Sequence, residues 1–180
     1  MSRRRFRPTD AFVDESIRGQ RYLMGCVMAQ AVDLPMIRPA LEELTGSKSR
    51  RLHFNAELAS RRAVLLDTFA TLPIRAVVVV VQSQNGVSQF EARRRCLERL
   101  VAIAQENDLE RFVVESRQDD RDDERTIRAA RAREPHLVFE HRRAHAEPML
   151  WLADGVTWAC GAGAKWAKRL DSVLIGVEEA

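Results

Sequence analysis

AFVDE at residues 11–15 and RYLMGCVMA at residues 21–29 are two apolar runs, and a short polar segment containing Gly19 separates them. Runs of this length and composition are typical of buried strands, and the glycine between them favours a turn. The pair is therefore predicted to form a β-hairpin. A further run, Ile74–Val81, contains five consecutive valines, which is typical of an interior strand buried on both faces of a sheet.

The remaining chain alternates between helical and extended patterns. Helices are predicted at residues 35–44, 55–72, 87–107, 122–133 and 148–167, and Gly46-Ser47 breaks the first of them. Strands are predicted at residues 51–54, 111–115, 136–140 and 171–177. The helix at 87–107 should bury Phe90, Leu97, Leu100, Val101 and Ala104.

The order of these elements predicts the fold class. A hairpin and a third strand come first, and alternating helices and parallel strands follow. This order is typical of an α/β protein with a mixed sheet flanked by helices. The first strand, the valine strand and the strand at 111–115 are expected to form the parallel set.

The composition predicts one globular domain at residues 10–180, preceded by a flexible basic arm at residues 1–9. The chain has 180 residues, of which 46% are hydrophobic and 31% charged. No apolar run approaches the ~20 residues of a membrane span, so no membrane partner is expected. No signal peptide is visible, and three isolated cysteines favour a reducing cytosol, which predicts a cytoplasmic location.

Two of the predicted strands have nearly identical sequences, and each ends on a carboxylate. Phe12–Ser16 reads FVDES and Phe112–Ser116 reads FVVES. Ligands of α/β sheets gather at the carboxyl ends of strands, and a divalent cation prefers oxygen ligands. Asp14 and Glu115 are therefore candidate metal ligands, whereas Glu15 should point to the opposite face. The alternatives are that Asp14 caps the following bend and that Glu115 is exposed or pairs with Arg117.

Asp154 is a further candidate because its helical neighbours are mostly apolar. Leu150, Trp151, Thr157 and Trp158 lie three and four residues away from it, so its carboxylate should face the protein. A charge in such a place requires a partner or a metal. The alternative is a salt bridge to a buried arginine.

His53 and Glu57, four residues apart at the start of the predicted second helix, offer weaker signals. His53 could carry protons or bind a metal, although a lone histidine between apolar residues is more often a packed side chain. Glu57 could be a ligand or could simply compensate the helix dipole.

The run Asp119–Glu124 lacks the glycine and spacing of a calcium loop and is predicted to be a solvated helix start. His141 and His145 lack a third ligand for zinc.

Three motifs together resemble a known family. They are the strand Phe12–Ser16, the segment Leu52-His53-Phe54, and Leu150–Asp154 with its Leu-x-x-Ala-Asp pattern. The chain resembles an uncharacterised bacterial and phage family with an N-terminal Asp-Glu-Ser motif, which is similar to the ribonuclease H-like (integrase-type) superfamily. The resemblance implies a ribonuclease H-like fold. It also implies Asp14, Glu115 and Asp154 as metal-binding acids, with His53 or Glu57 in the remaining place.

The resemblance favours a Mg²⁺- or Mn²⁺-dependent nuclease, a hydrolase whose metals would activate water and stabilise the leaving oxygen. Arginines could steer the nucleic-acid backbone, among them Arg3–Arg7, Arg93–Arg95 and Arg117. One alternative is a catalytically inactive nucleic-acid-binding or regulatory module on the same fold. Another is a structural homodimer that uses a stripe of Trp151, Trp158 and Trp166, although core packing is the favoured interpretation of that stripe.

Overall fold

A computed structural model of the protein describes residues 6–45, 49–83, 86–118 and 120–180. Arg3–Arg5, the predicted break at Gly46-Ser47, and Asp119 lie outside these residues. The strands are β1 (Asp10–Arg18), β2 (Arg21–Ala29), β3 (Ile74–Gln82), β4 (Arg111–Glu115), β5 (Val138–Arg142) and β6 (Leu174–Glu179). The helices are α1 (Leu34–Glu43), α2 (Ala59–Phe69), α3 (Gln89–Glu106), α4 (Asp120–Ala130), α5 (Met149–Ala162) and α6 (Ala164–Ala167).

The strands form one mixed sheet in the order β5-β4-β1-β2-β3-β6. The strand β2 pairs antiparallel with both β1 and β3, so those two run in the same direction. The strands β4, β5 and β6 each pair parallel with a neighbour. The predicted parallel set of β1, β3 and β4 is therefore confirmed, and β2 is the strand of opposite direction.

Helices cover both faces of the sheet because the strands alternate apolar side chains between two cores. Phe12 of β1 belongs to the core beneath α1, α2 and α5, and Val13 belongs to the core beneath α3 and α4. The valines of β3 divide in the same way and are all nearly inaccessible, which confirms that β3 is buried on both faces. Burying each large apolar side chain contributes about 1.5–3 kcal/mol to the stability of this arrangement.

The predicted strand at residues 51–54 is wrong. Phe54–Ala56 instead form a single 3-10 turn, and α2 begins at Ala59. Phe54 is buried against α5, where a Cβ at Gly155 would lie 2.8 Å from the Phe54 ring. Its backbone N–H donates to the carboxylate of Asp154 at 2.9 Å instead of to a neighbouring strand. Tertiary contacts with α5 therefore replace the strand pairing that the apolar alternation had predicted.

The prediction that α3 buries Phe90 is also wrong. Leu97, Leu100, Val101 and Ala104 are buried as predicted, whereas Phe90 is 57% exposed. Towards the N-terminus of α3 the core includes the small Ala92, and the position one turn after Phe90 is Arg93, whose guanidinium belongs to a buried ionic network. Phe90 therefore lies on the solvent side of α3 and not in the core.

The tryptophans of α5 are core residues, as the favoured interpretation predicted. Trp151 and Trp158 are nearly inaccessible, and Trp166 packs edge-on against Trp158 with ring centroids 5.1 Å apart. The long helix predicted to residue 167 ends at Gly163, whose φ of 114° is unfavourable for other residues. No helix within the described ranges is long and apolar enough to cross a membrane.

Candidate metal centre

The register between β1 and β4 brings two acids together at the point where their pairing ends. The parallel ladder runs from Asp10 opposite Arg111 to Val13 opposite Val114. Asp14 and Glu115 are the residues that follow in this register, so their side chains meet beside the end of the ladder. The two similar sequences are thus offset by one residue, and Glu15 does not face Glu115 across the strands.

Gly25 allows α5 to place Asp154 next to Asp14. Gly25 lies opposite Asp14 in the hairpin. A Cβ at Gly25 would lie 2.0 Å from Oγ1 of Thr157 and 3.3 Å from the carbonyl oxygen of Ala153. The absence of a side chain at this position lets α5 lie directly on the hairpin. The residue after Ala153 is Asp154, whose carboxylate therefore reaches the cleft beside the end of the β1–β4 ladder.

Replacing Gly25 with alanine is expected to destabilise the protein by about 1–3 kcal/mol, because the new methyl group overlaps the Thr157 hydroxyl. The measurement is a urea unfolding curve. In a Thr157→Ala background the same replacement should cost less, since the nearest overlapping atom is then missing. Equal costs in the two backgrounds would show that the approach of α5 does not depend on Gly25.

Burial and the nearby acids raise the pKa of Asp14 well above its usual range. Burial is the largest cause, followed by a hydrogen bond with Glu115 and the negative charges of Glu115 and Asp154, while the charge of Arg93 opposes the shift. Burial also raises the pKa of Asp154, although the Phe54 N–H and His53 partly stabilise its charge. Asp14 therefore takes up a proton more readily than an exposed aspartate does.

These acids line a cleft of about 660 Å³ whose other walls are mostly polar. Trp151 and Leu150 of α5 line the apolar part of the cleft. The polar wall includes Arg51, His53, Gln89, Arg117 and Gln118. The cleft therefore combines converging carboxylates with cationic and hydrogen-bonding side chains.

The surroundings differ among the other predicted site residues, which are Asp154, His53, Arg117 and Glu57. The Asp154 carboxylate accepts the Phe54 N–H, and His53 Nδ1 lies 3.6 Å from Asp154 Oδ2. Arg117 lines the cleft, but its guanidinium contacts the buried Glu15. Glu57 is not among the residues that line the cleft. It precedes α2 instead of occupying its first turn, and its carboxylate lies 3.5 Å from Arg61.

A buried ionic network on the opposite face of β1 was missed by sequence reasoning. Glu15 contacts Arg93, and Arg93 also donates to both carboxylate oxygens of Asp123 at 2.7 and 2.5 Å. His141 Nε2 lies 3.2 Å from the same carboxylate. Burial raises the pKa of Asp123, but the hydrogen bonds from Arg93 and His141 outweigh it and the pKa is lowered.

This network overturns two predictions. Asp123 is only 2% exposed, so the run from Asp119 is not simply a solvated helix start. Arg93 is 7% exposed and cannot steer a nucleic-acid backbone. The signal that could have found the network is the helical spacing of Arg93 with Leu97 and Leu100, which places a guanidinium on an apolar stripe.

Two groups of side chains could accept a cation. Asp120, Asp123 and His141 offer ligand atoms that all lie within 4.8 Å of one another, but Arg93 already neutralises Asp123. The oxygens of Asp14, Glu115 and Asp154 are more widely spread than this. Their donor set is nevertheless the one a hard divalent cation prefers, because it consists of carboxylate oxygens, one of them on a buried acid whose pKa is raised by its surroundings.

Comparison with known proteins agrees with this architecture. Ribonuclease H2 from Pyrococcus horikoshii superposes with a TM-score of 0.58 and 16% identity, over 90% of this chain and 75% of that one. A point mutant of Bst-RNase HIII gives a TM-score of 0.49 and 13% identity, over 93% of this chain but only 53% of that one. No family model and no curated protein matches the chain. The fold is ribonuclease H-like, as the resemblance implied.

Proposed function

We propose that the protein is a divalent-metal-dependent nuclease, a phosphodiesterase that acts on nucleic acid through Asp14, Glu115 and Asp154. The observation that carries the proposal is that three carboxylates line one cleft, where burial and the neighbouring charges raise the pKa of Asp14. Like charges that converge without a cation destabilise a folded protein, and Mg²⁺ or Mn²⁺ would remove that repulsion. Kinship with the bacterial and phage family that shares the Asp-Glu-Ser strand belongs to the same proposal.

Each residue of the cleft has a role that its position supports. Asp14, Glu115 and Asp154 would hold the ion, which when bound polarises a phosphate oxygen and lowers the pKa of a water molecule. His53 is half-exposed and next to Asp154, where it can carry a proton between the cleft and solvent. Arg117 lines the cleft and can contact a phosphate with the part of its guanidinium that Glu15 leaves free. Glu57 is left out of this set because it does not line the cleft.

The proposal predicts that Mn²⁺ stabilises the protein and that Asp154→Asn removes the effect. At a concentration one hundred times its Kd, a ligand adds about 2.7 kcal/mol, which raises the Tm of a protein of this size by about 5–10 °C. Asparagine keeps an oxygen that can accept the Phe54 N–H, so the variant should fold. Cleavage of labelled DNA and RNA in Mn²⁺ should fall at least about a hundredfold.

The matched control is Asp67→Asn. Asp67 is an exposed aspartate of α2 that pairs with Arg169, away from the cleft. This variant should keep both the Mn²⁺ response and the cleavage of the unmodified protein. If Mn²⁺ shifts the Tm of neither the unmodified protein nor the control, the nuclease proposal is wrong. Retention of nucleic acid in low salt without cleavage would favour the inactive binding module on the same fold.

A further inference from the structure

Among the described cationic residues that line the cleft, Arg51 has a distinct position. Its Nη1 lies 3.5 Å from Oε1 of Glu115, and its side chain is 44% exposed. The backbone around it is neither helix nor strand, and its N–H donates to the Ser49 hydroxyl at 3.3 Å. The guanidinium thus reaches the proposed ligand Glu115 from the solvent side.

The other described cationic side chains of the cleft contact acids other than Glu115. Arg117 contacts Glu15, which points to the opposite face of β1 and is also held by Arg93. His53 lies beside Asp154, and its charge depends on protonation. Among the described residues that line the cleft, Arg51 is the permanent cation paired with one of the three converging carboxylates.

Charge considerations make the pairing of Arg51 and Glu115 conditional on the ion. A divalent cation held by Glu115 neutralises the carboxylate that attracts Arg51 and repels the guanidinium directly. A half-exposed ion pair of this kind contributes little to stability, so its separation is easy. A guanidinium released at the mouth of the cleft can donate two parallel hydrogen bonds to a phosphate group.

We propose that Arg51 pairs with Glu115 in the metal-free protein and transfers to a phosphate of the nucleic-acid substrate when the divalent cation binds. The inference rests on the proposed function and deepens it by naming a positioning residue for the substrate. Arg51 therefore has opposite effects on the binding of the cation and of the substrate. It competes with the cation for Glu115, and it strengthens the binding of the substrate to the loaded protein.

The first test is a calorimetric titration with Mn²⁺ alone. Arg51→Gln removes the competing charge, so it should bind Mn²⁺ about two- to fivefold more tightly than the unmodified protein. Arg51→Lys retains the charge and should lie near the unmodified protein. The adjacent exposed Arg50 provides the matched control, and Arg50→Gln should leave the Mn²⁺ affinity unchanged.

The second test measures the anisotropy of a labelled single-stranded oligonucleotide, as DNA and as RNA, in the presence of Ca²⁺. Arg51→Gln should weaken binding about tenfold or more, because a charge-assisted contact is lost. Arg51→Lys should recover only part of it, since an ammonium group cannot donate in the same parallel geometry. Tighter Mn²⁺ binding together with weaker oligonucleotide binding supports the transfer.

The two proposals fail in different ways. If the unmodified protein does not bind Mn²⁺, both the nuclease proposal and the role of Arg51 are wrong. If it binds Mn²⁺ and cleaves nucleic acid while Arg51→Gln changes neither affinity, only the role of Arg51 is wrong. A loss of both affinities in Arg51→Gln would also overturn the transfer, because it would indicate that Arg51 supports the structure of the cleft.

Discussion

Replacing Asp14 with asparagine is expected to abolish Mn²⁺-dependent stabilisation and cleavage while raising the stability of the metal-free protein at neutral pH. Asp14 lies between Glu115 and Asp154, and it is the most buried of the three acids. Its removal takes away the central ligand, so activity should fall at least as far as in Asp154→Asn. The same change removes a buried acid whose ionisation is opposed by burial and by two neighbouring negative charges.

The stabilisation by Asp14→Asn should depend on pH, and the raised pKa of Asp14 gives the direction of that dependence. The pKa of Asp14 is raised in the folded protein, so the folded state binds the proton more tightly than the unfolded chain does. Stability from this group is therefore fully present below the unfolded pKa of 3.8 and is lost as the pH rises through the folded pKa. Asp14→Asn lacks this loss, so its advantage in Tm over the unmodified protein should grow with pH across that window.

The measurements are thermal unfolding curves over a pH series, each with and without Mn²⁺. In the unmodified protein the Mn²⁺ affinity should rise with pH, because the ion must displace the proton of Asp14. Asp10→Asn is the matched control, since Asp10 lies on the same face of β1 but pairs with Arg111 away from the cleft. A metal-free Asp14→Asn protein that is less stable than the unmodified one at neutral pH would contradict the assignment.

Replacing Arg93 with methionine is expected to destabilise the protein by about 3–5 kcal/mol, because it leaves Glu15 and Asp123 buried without their shared cation. Both carboxylates are at most 5% exposed, so water cannot replace the guanidinium. The Tm should fall by about 10 °C or more for a protein of this size. Urea unfolding gives the free energy directly.

The neighbouring Arg94 provides the matched control on the same helix. Arg94 pairs with Glu91 and Glu98 at the surface, and Arg94→Met should change the stability little. Adding Glu15→Gln and Asp123→Asn to the Arg93 variant should recover part of the loss, since the buried negative charges are then gone. A triple variant as unstable as Arg93→Met would show that packing, and not charge, is the origin of the effect.

The apolar patterns of the sequence were sufficient to predict most strands of the sheet. The hairpin, the valine strand and the strand at 111–115 are all present, because long apolar runs can be buried only in a sheet covered on both faces. The one-residue offset between FVDES and FVVES could not be read from the sequence. It depends on the register of the β1–β4 ladder, which both strands set jointly with their neighbours.

Around the site, local sequence patterns were not sufficient to predict the structure. The alternation at Leu52-His53-Phe54 predicted a strand. Instead, the Phe54 N–H donates to Asp154 of α5, and the Phe54 ring packs beside Gly155 of the same helix. The resemblance implied Glu57 as an alternative ligand, but α2 begins at Ala59 and the Glu57 carboxylate lies beside Arg61. Arg93 and Asp123 are 30 residues apart in the chain, and no local pattern connects them.

The sequence by itself determined the class of fold, the direction of the strands and the faces on which Asp14, Glu15 and Asp154 lie, because burial and helical or strand periodicity are local properties. Only the tertiary structure decided which charges meet. The ladder register joins Asp14 to Glu115, Gly25 lets α5 bring Asp154 beside them, and Arg51 reaches Glu115 across the cleft. Electrostatic pairing depends on distances of a few ångströms between distant segments, and packing alone sets those distances.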